Sequence, residues 1–316
     1  MYPILGTHHV SAMTDDIERN YKFFTAIVGM RLVKKTVNQD DPRTYHAFYS
    51  DDVGSMGTDM TFFDIPGQRP GVTGNNSIYR ASFRVPTDEA LEYFKKRFED
   101  HDVKVDEITE LFGKKILRFE EPDGMKYFLI SDENDHSKLT GTPWQDGPVP
   151  KEYAVHALGP VEIHTKYHDV MVETLTELYG FYLSKEEGDY ALLEVQDGGN
   201  EASIILKKSD EKSARPGYGE IHHVALTVED MDALKYWENI YESRGMNHSG
   251  IKDRFYFGAL YVRIKHILFE LSTKGPGFMT DEPYETLGEN LALPPFLEKN
   301  RAQIERDLKP FETRRN

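Results

Sequence analysis

Four segments of this chain share one shape, and self-similarity of that kind decides the class of fold before any single element does. Each segment runs from a short β-branched strand through an amphipathic helix that stops near a glycine, then into strands separated by turns. The first opens at His8-His9-Val10, with a helix over 17–28 stopped by Gly29 and strands over 31–36, 45–49 and 60–65. The second opens at 78–83, places its helix over 88–99 and closes with a strand over 127–131 after the turn at 121–124. The third opens at 160–163, ends its helix at Gly180 and closes over 202–207. The fourth opens at 221–228, runs its helix from Met231 to about Arg244 before Gly245, and closes over 266–271. Apolar spacing with a glycine just past the end marks the helices, and alternation of β-branched or aromatic residues marks the strands.

The expected class is therefore α+β, four βαβββ modules at about 5–66, 77–132, 156–208 and 219–274. The first two would form an N-terminal domain over 1–140 and the last two a C-terminal domain over 153–275. The stretch 132–151 is rich in Asp, Gly, Pro and Ser, and the linker between the halves is drawn at 141–152. The tail over 276–316 is expected to pack back on the body and to carry a charged helix over 295–309.

Hydrophobic residues make up 39 % of the chain, enough for a sizeable core, and the formal charge of −16 argues against nucleic acid or an anionic membrane as partner. Cysteine is absent, which removes thiolate metal sites and cysteine nucleophiles and fits a reducing compartment. The opening MYPILGTHHV lacks a basic segment leading into an apolar run, and no stretch approaches the ~20 apolar residues of a membrane span. The expectation is a cytoplasmic protein, and oligomeric state is open, a homo-oligomer included.

Of twelve histidines, most lie on loops or polar faces, among them His101, His136, His168 and His248. The doublets His8-His9 and His222-His223 differ, because both stand at the start of their module's first strand and precede Val and a small residue. Strand geometry sends the two members of each doublet to opposite faces. With the residue before Val inward, His9, Ser11 and Met13 share one face, and His223, Ala225 and Thr227 its counterpart. The alternative is a pair of satisfied sheet-end histidines that merely echo the repeat.

Glu270 lies in the apolar strand Ile267-Leu268-Phe269-Glu270-Leu271, where a carboxylate is costly to bury unless paired or bound to a metal. Modules two and three carry Leu129 and Leu206 at the corresponding place, and Arg80 and Pro160 where the histidines would be. His9, His223 and Glu270 thus form a candidate two-imidazole, one-carboxylate set, associated with non-haem iron(II) that activates dioxygen. The same ligand types suit Zn, Ni or Mn. Asp64 falls near the place of a second carboxylate. If it points inward the site has four protein ligands and suits Lewis-acid isomerase chemistry.

These modules, with His on the first strand and Glu on the last, resemble the vicinal oxygen chelate superfamily, which includes glyoxalases and extradiol dioxygenases. More specifically, Leu32-Val33-Lys34-Lys35-Thr36-Val37-Asn38 with Asp41-Pro42 and Thr44-Tyr45-His46 resembles the ring-cleaving dioxygenases that act on hydroquinones. Gly54-Ser55 with Gly57-Thr58, Thr61-Phe62-Phe63, and the tail's Leu287-Gly288-Glu289, Leu293-Pro294-Pro295 and Glu298 are similar as well. The resemblance spans essentially the whole chain.

It implies a glyoxalase-like fold of half-barrel domains, an iron(II) centre on His9, His223 and Glu270, and a small aromatic substrate opened with O₂. It also implies supporting roles for His8, His222, Ser11, Arg254 and Tyr261. Arg254 would hold an anionic substrate oxygen and Tyr261 would donate to a reacting oxygen; the alternatives are a surface salt bridge and a packed strand tyrosine. One departure is the link Arg263-Ile264-Lys265-His266, which lacks the family's Pro-Gly-Gly type turn and puts His266 at a hairpin tip. Two rivals remain on the same scaffold: a glyoxalase-type isomerase and a metal-free protein that sequesters an aromatic compound.

Overall fold

Alternating β-branched and aromatic residues suit a pleated, half-buried strand. The computed structural model, which describes residues 2–315, shows the four opening strands as Thr7–Met13, Ser77–Val85, Val161–Thr165 and Glu220–Val228. The helices that follow are Ile17–Lys22, Asp88–Asp100, His168–Glu177 and Met231–Ser243. Asp16, Thr87 and Asp230 cap three of them by accepting first-turn backbone N–H groups, a contribution of about 1 kcal/mol each.

The first helix departs from the single α-helix expected over 17–28. Its second half, Phe23–Val28, is a π-helix. The wider turn sends two adjacent rings into the core shared by modules one and two: Phe23 packs on Phe119 of module two, and Phe24 on Tyr49 and Phe62 of module one and on Phe83 and Tyr127 of module two. Gly29 ends the turn at φ 83°, where a side chain would meet Val149.

The two sheets correct the expected division into sequence-contiguous halves. Modules one and four share an eight-stranded sheet, and modules two and three make up the ten-stranded one. Inside a module the opening strand lies parallel to the closing strand: Thr7–Met13 beside Asp59–Asp64, and Glu220–Val228 beside Ile267–Pro276. The free edge of each opening strand then needs a partner. Thr7–Met13 takes Glu220–Val228, antiparallel, with Ser11 opposite His223 and His9 opposite Ala225. Val161–Thr165 takes Ser77–Val85 in the same way. One continuous core, holding the buried faces of the helices and one face of both sheets, joins all four modules.

The tail packs back as expected. Ala292 N–H donates to the Lys35 carbonyl, and Leu297, Ile304, Leu308 and Phe311 enter the core. The helix expected over 295–309 is broken into Pro295–Glu298 and Arg301–Asp307. No described helix is long and apolar enough to cross a membrane.

Candidate metal centre

Because the two opening strands run side by side, each histidine doublet reaches the concave face of one sheet. His9 Nε2 and His223 Nε2 lie 3.2 Å apart, although 214 residues separate them. Glu270 comes from the closing strand, opposite Ala225 in parallel register, and its Oε2 sits 2.9 Å from His223 Nε2 and 3.3 Å from His9 Nε2. All three side chains are buried, and Glu270 is 0 % exposed. Burial alone would raise the Glu270 carboxyl; positive charge at the neighbouring imidazole positions, or a cation held between them, offsets this and keeps the group well below the usual carboxylate range. Burial likewise lowers the His223 imidazole.

The preceding residues fix how the imidazoles present themselves. His8 Nε2 lies 3.0 Å from the Thr273 carbonyl, so that nitrogen carries a hydrogen and donates. His8, pushed down to about 3 by burial and by His9, is neutral, which leaves its Nδ1 as an acceptor. His9 Nδ1, 2.9 Å away, must then donate to it, and His9 Nε2 is left as a bare lone pair. The contact recurs in module four, where His222 Nδ1 and His223 Nδ1 are 2.7 Å apart. With His223 Nδ1 donating in the same sense as His9 Nδ1, its Nε2 is bare as well, and Glu270 Oε2 is left without a donor from either nitrogen around it. Acceptors that converge without a donor are a fit for a cation, and histidines oriented through their second nitrogen are the usual arrangement around a bound metal. Among the described residues, His9, His223 and Glu270 are the group whose ligand atoms meet within metal-binding reach.

The supporting residues are placed less uniformly. Strict alternation turns His8 and His222 away at the backbone, yet their Nδ1 atoms still reach the neighbouring rings. Tyr261 lies directly across from Glu270 on the strand Phe257–Ile264, so the short Lys265-His266 link leaves the register intact, with His266 at the tip. Burial first, then Glu270, pushes its phenol well up. Arg254 Nη2 donates to Asp40 at 2.8 Å, joining modules four and one, and its guanidinium carbon stands 5.7 Å from the Tyr261 ring centre. Ser11 is fully buried and its hydroxyl pairs with Thr61 at 2.7 Å, beneath the floor of the cavity.

Asp64 is not a fourth ligand. Phe63 faces the cavity, so Asp64 points to the other side of the sheet, towards Lys309 and Asp16, where burial raises it to about 6. The residue that takes the Glu270 position in module one is Thr61: it stands opposite Ser11, two past His9, as Glu270 stands opposite Ala225, two past His223. Thr61 is engaged by Ser11 and by His46 Nε2, at 3.0 Å.

Above the triad is a cavity of about 370 Å³ walled by Met13, Phe48, Phe63, Phe257 and Leu268, with Arg254, Tyr261, His222 and His46 among its polar groups. That is room for a one-ring ligand between apolar walls. His46 and Thr61 enter the sequence only as parts of the family-like motifs and not as site residues, although alternation along 44–50 and 60–65 puts His46, Phe48, Thr61 and Phe63 on one side of the sheet.

Comparison with known proteins adds to this geometry. The model of the Glyoxalase/Bleomycin resistance protein/Dioxygenase superfamily matches residues 6–127. A Bacillus subtilis (strain 168) protein provisionally named as the ring-cleaving dioxygenase MhqA is 43 % identical over 314 residues, covering 97 % of this chain and 99 % of its own. The chlorohydroquinone/hydroquinone 1,2-dioxygenase of Sphingobium indicum is 29 % identical over 320 residues, with 96 % and 95 % covered. A crystal structure from Bacillus subtilis, itself provisionally termed a dioxygenase, superposes with a TM-score of 0.91 at 33 % identity and covers both chains in full. Glyoxalase I from Zea mays shares the fold alone, with a TM-score of 0.60 at 14 % identity over 85 % of this chain and 92 % of its own.

Proposed function

The chain belongs to the glyoxalase, bleomycin resistance protein and dioxygenase superfamily, and from that premise we propose that it is an iron(II)-dependent dioxygenase that opens a hydroquinone or catechol-like ring. The observation that carries the reading is the convergence of three acceptors, His9 Nε2, His223 Nε2 and Glu270 Oε2, with Thr61 where a fourth ligand would stand. A three-ligand face leaves adjacent positions open, whereas isomerase chemistry of the glyoxalase type calls for the fourth protein ligand. A protein that only sequestered an aromatic compound would have no use for the triad.

Held by His9, His223 and Glu270, iron(II) would bring a ring oxygen and O₂ together and pass electrons between them. The protein's share is orientation and charge. The walls of Phe48, Phe63, Phe257 and Leu268 hold a flat ring and exclude water. Arg254 brings a positive charge to the cavity for an anionic ring oxygen, and Tyr261 offers a hydroxyl beside Glu270. With Nδ1 accepting from His223, His222 keeps its hydrogen on Nε2 and can donate to negative charge developing on oxygen.

The test is the mass of the product formed by iron(II)-loaded protein from hydroquinone and from catechol. The reading predicts a non-aromatic product heavier than its substrate by one O₂. An isomer of unchanged mass from an α-ketoaldehyde adduct would favour the isomerase, and tight binding of the aromatic without any conversion would favour the binder.

A further inference from the structure

One imidazole in the cavity has no part in the triad or its support. His46 comes in on the strand Asp41–Ser50, and its ring lies between those of Phe48 and Phe63, each 4.0 Å away between centres. Its Nε2 is tied to Thr61 Oγ1 at 3.0 Å, and Thr61 to Ser11 Oγ at 2.7 Å, both hydroxyls fully buried. Nδ1, on the other edge of the ring, has no protein partner among the described residues. The chain from Ser11 to His46 can run either way. When Thr61 donates to Nε2, Nδ1 carries a hydrogen to offer; when Thr61 donates to Ser11, Nδ1 accepts. Burial and the nearby His9 and His223 keep the ring neutral, as both senses require.

Several other polar groups at this end already have protein partners. Gln39 donates to the Arg254 carbonyl, Arg254 to Asp40, and Asn38 accepts from the Asp40 N–H. In the sheet, the strand of His46 is two places from the strand of His9, a backbone separation of about 10 Å. A benzene ring with oxygens at opposite corners, one at the triad, reaches across such a gap. A ring with adjacent oxygens keeps both at the triad end.

We propose that His46 is the hydrogen-bond partner of the ring oxygen remote from the triad, and so selects aromatic para-diols over ortho-diols. The proposal rests on the ring-cleaving reading above and names its substrate class. His46 is a specificity residue here, held in place by the Phe48–Phe63 stack and aimed by Thr61.

The experiment is an anaerobic binding titration of zinc(II)-loaded protein with hydroquinone, 4-methylphenol and catechol, for wild type, His46→Phe and His46→Gln. Zinc does not exchange electrons, so binding is read without turnover. Wild type should prefer hydroquinone to 4-methylphenol by about ten-fold or more, the effect of one buried hydrogen bond. His46→Phe, which keeps a ring in the stack, should reduce that ratio to within about two-fold while leaving catechol and 4-methylphenol affinities in place, and His46→Gln should recover part of it. His46→Leu serves as the second apolar variant if His46→Phe does not fold. An unchanged hydroquinone preference in the apolar variant, or an equal loss for catechol, overturns the proposal alone. Failure of every phenol to bind metal-loaded wild type overturns the ring-cleaving reading and this proposal with it.

Discussion

Thr61 stands in module one where Glu270 stands in module four: each lies in parallel register with the residue two past the inward histidine of its module. The pseudo-symmetric halves of the site therefore differ by one carboxylate. That difference separates a three-ligand site from a four-ligand one.

Restoring the symmetry should change the chemistry. Thr61→Glu is expected to bind divalent metal at least as tightly as wild type and to lose ring-opening activity, because a fourth carboxylate closes an open position. Thr61→Leu controls for the bulk added at a fully buried site, an overpacking cost of about 1–3 kcal/mol. Dialysis against zinc(II) followed by product analysis checks both, and full activity in Thr61→Glu would show that position 61 does not reach the metal.

His8 acts through His9 by fixing which nitrogen carries the hydrogen. His8→Phe keeps the contact with Phe257 but removes the acceptor, so metal affinity should fall roughly 10–100-fold with the fold intact. His223→Ala should cost more, since a ligand itself is lost. Competition with a chromophoric chelator measures both, and equal affinity in His8→Phe and wild type would remove the tautomer argument.

Lys34 pins the tail beneath the cavity. Its ammonium, 0 % exposed, pairs with Asp281 at 2.8 Å and with Glu282, and lies 4.9 Å from the centre of the Tyr256 ring. Lys34→Met should destabilise the protein by about 3–5 kcal/mol, because it leaves the Glu282 carboxylate buried without its countercharge. Urea unfolding monitored by tryptophan fluorescence reads the change. A loss below about 1 kcal/mol would mean that the tail is held chiefly by its apolar contacts.

Glu121 predicts a pH dependence of stability. Burial first, and then Asp123, raise its folded pKa from 4.5 to about 8. The folded state thus holds a proton that the unfolded chain has lost, so stability falls as pH rises from about 4.5 to about 8 and levels off above that. Glu121→Gln keeps the acceptor for the Met125 N–H and removes the titration. The variant should match wild type near pH 4.5 and exceed it by a few kcal/mol at pH 8 and above. Parallel denaturation midpoints for the two proteins across that range would disprove the assignment.

Much of this was legible in the sequence, for physical reasons. The modules show because strand and helix periods differ, and the doublets and Glu270 stand out because imidazoles and carboxylates are rare in strands that must bury one face. The pairing of modules was not legible. Every opening strand presents a similar free edge, and nothing local says that Thr7–Met13 meets Glu220–Val228 and leaves Ser77–Val85 to module three. Asp64 offers a carboxylate near the place of a fourth ligand, but the position itself turns on which residue stands beside Ser11, and register gives it to Thr61. The break in the tail between Glu298 and Arg301, and the π-turn at Phe23–Val28, answer to packing partners far away in sequence.

Oxygen uptake by iron(II)-loaded protein with hydroquinone, run beside Glu270→Ala loaded in the same way, tests the central claim most directly. The account predicts one O₂ consumed for each ring whose aromatic absorbance is lost in wild type, and none in the variant. Wild type that holds iron yet takes up no oxygen with hydroquinones or catechols, or a Glu270→Ala protein that turns over like wild type, would contradict it.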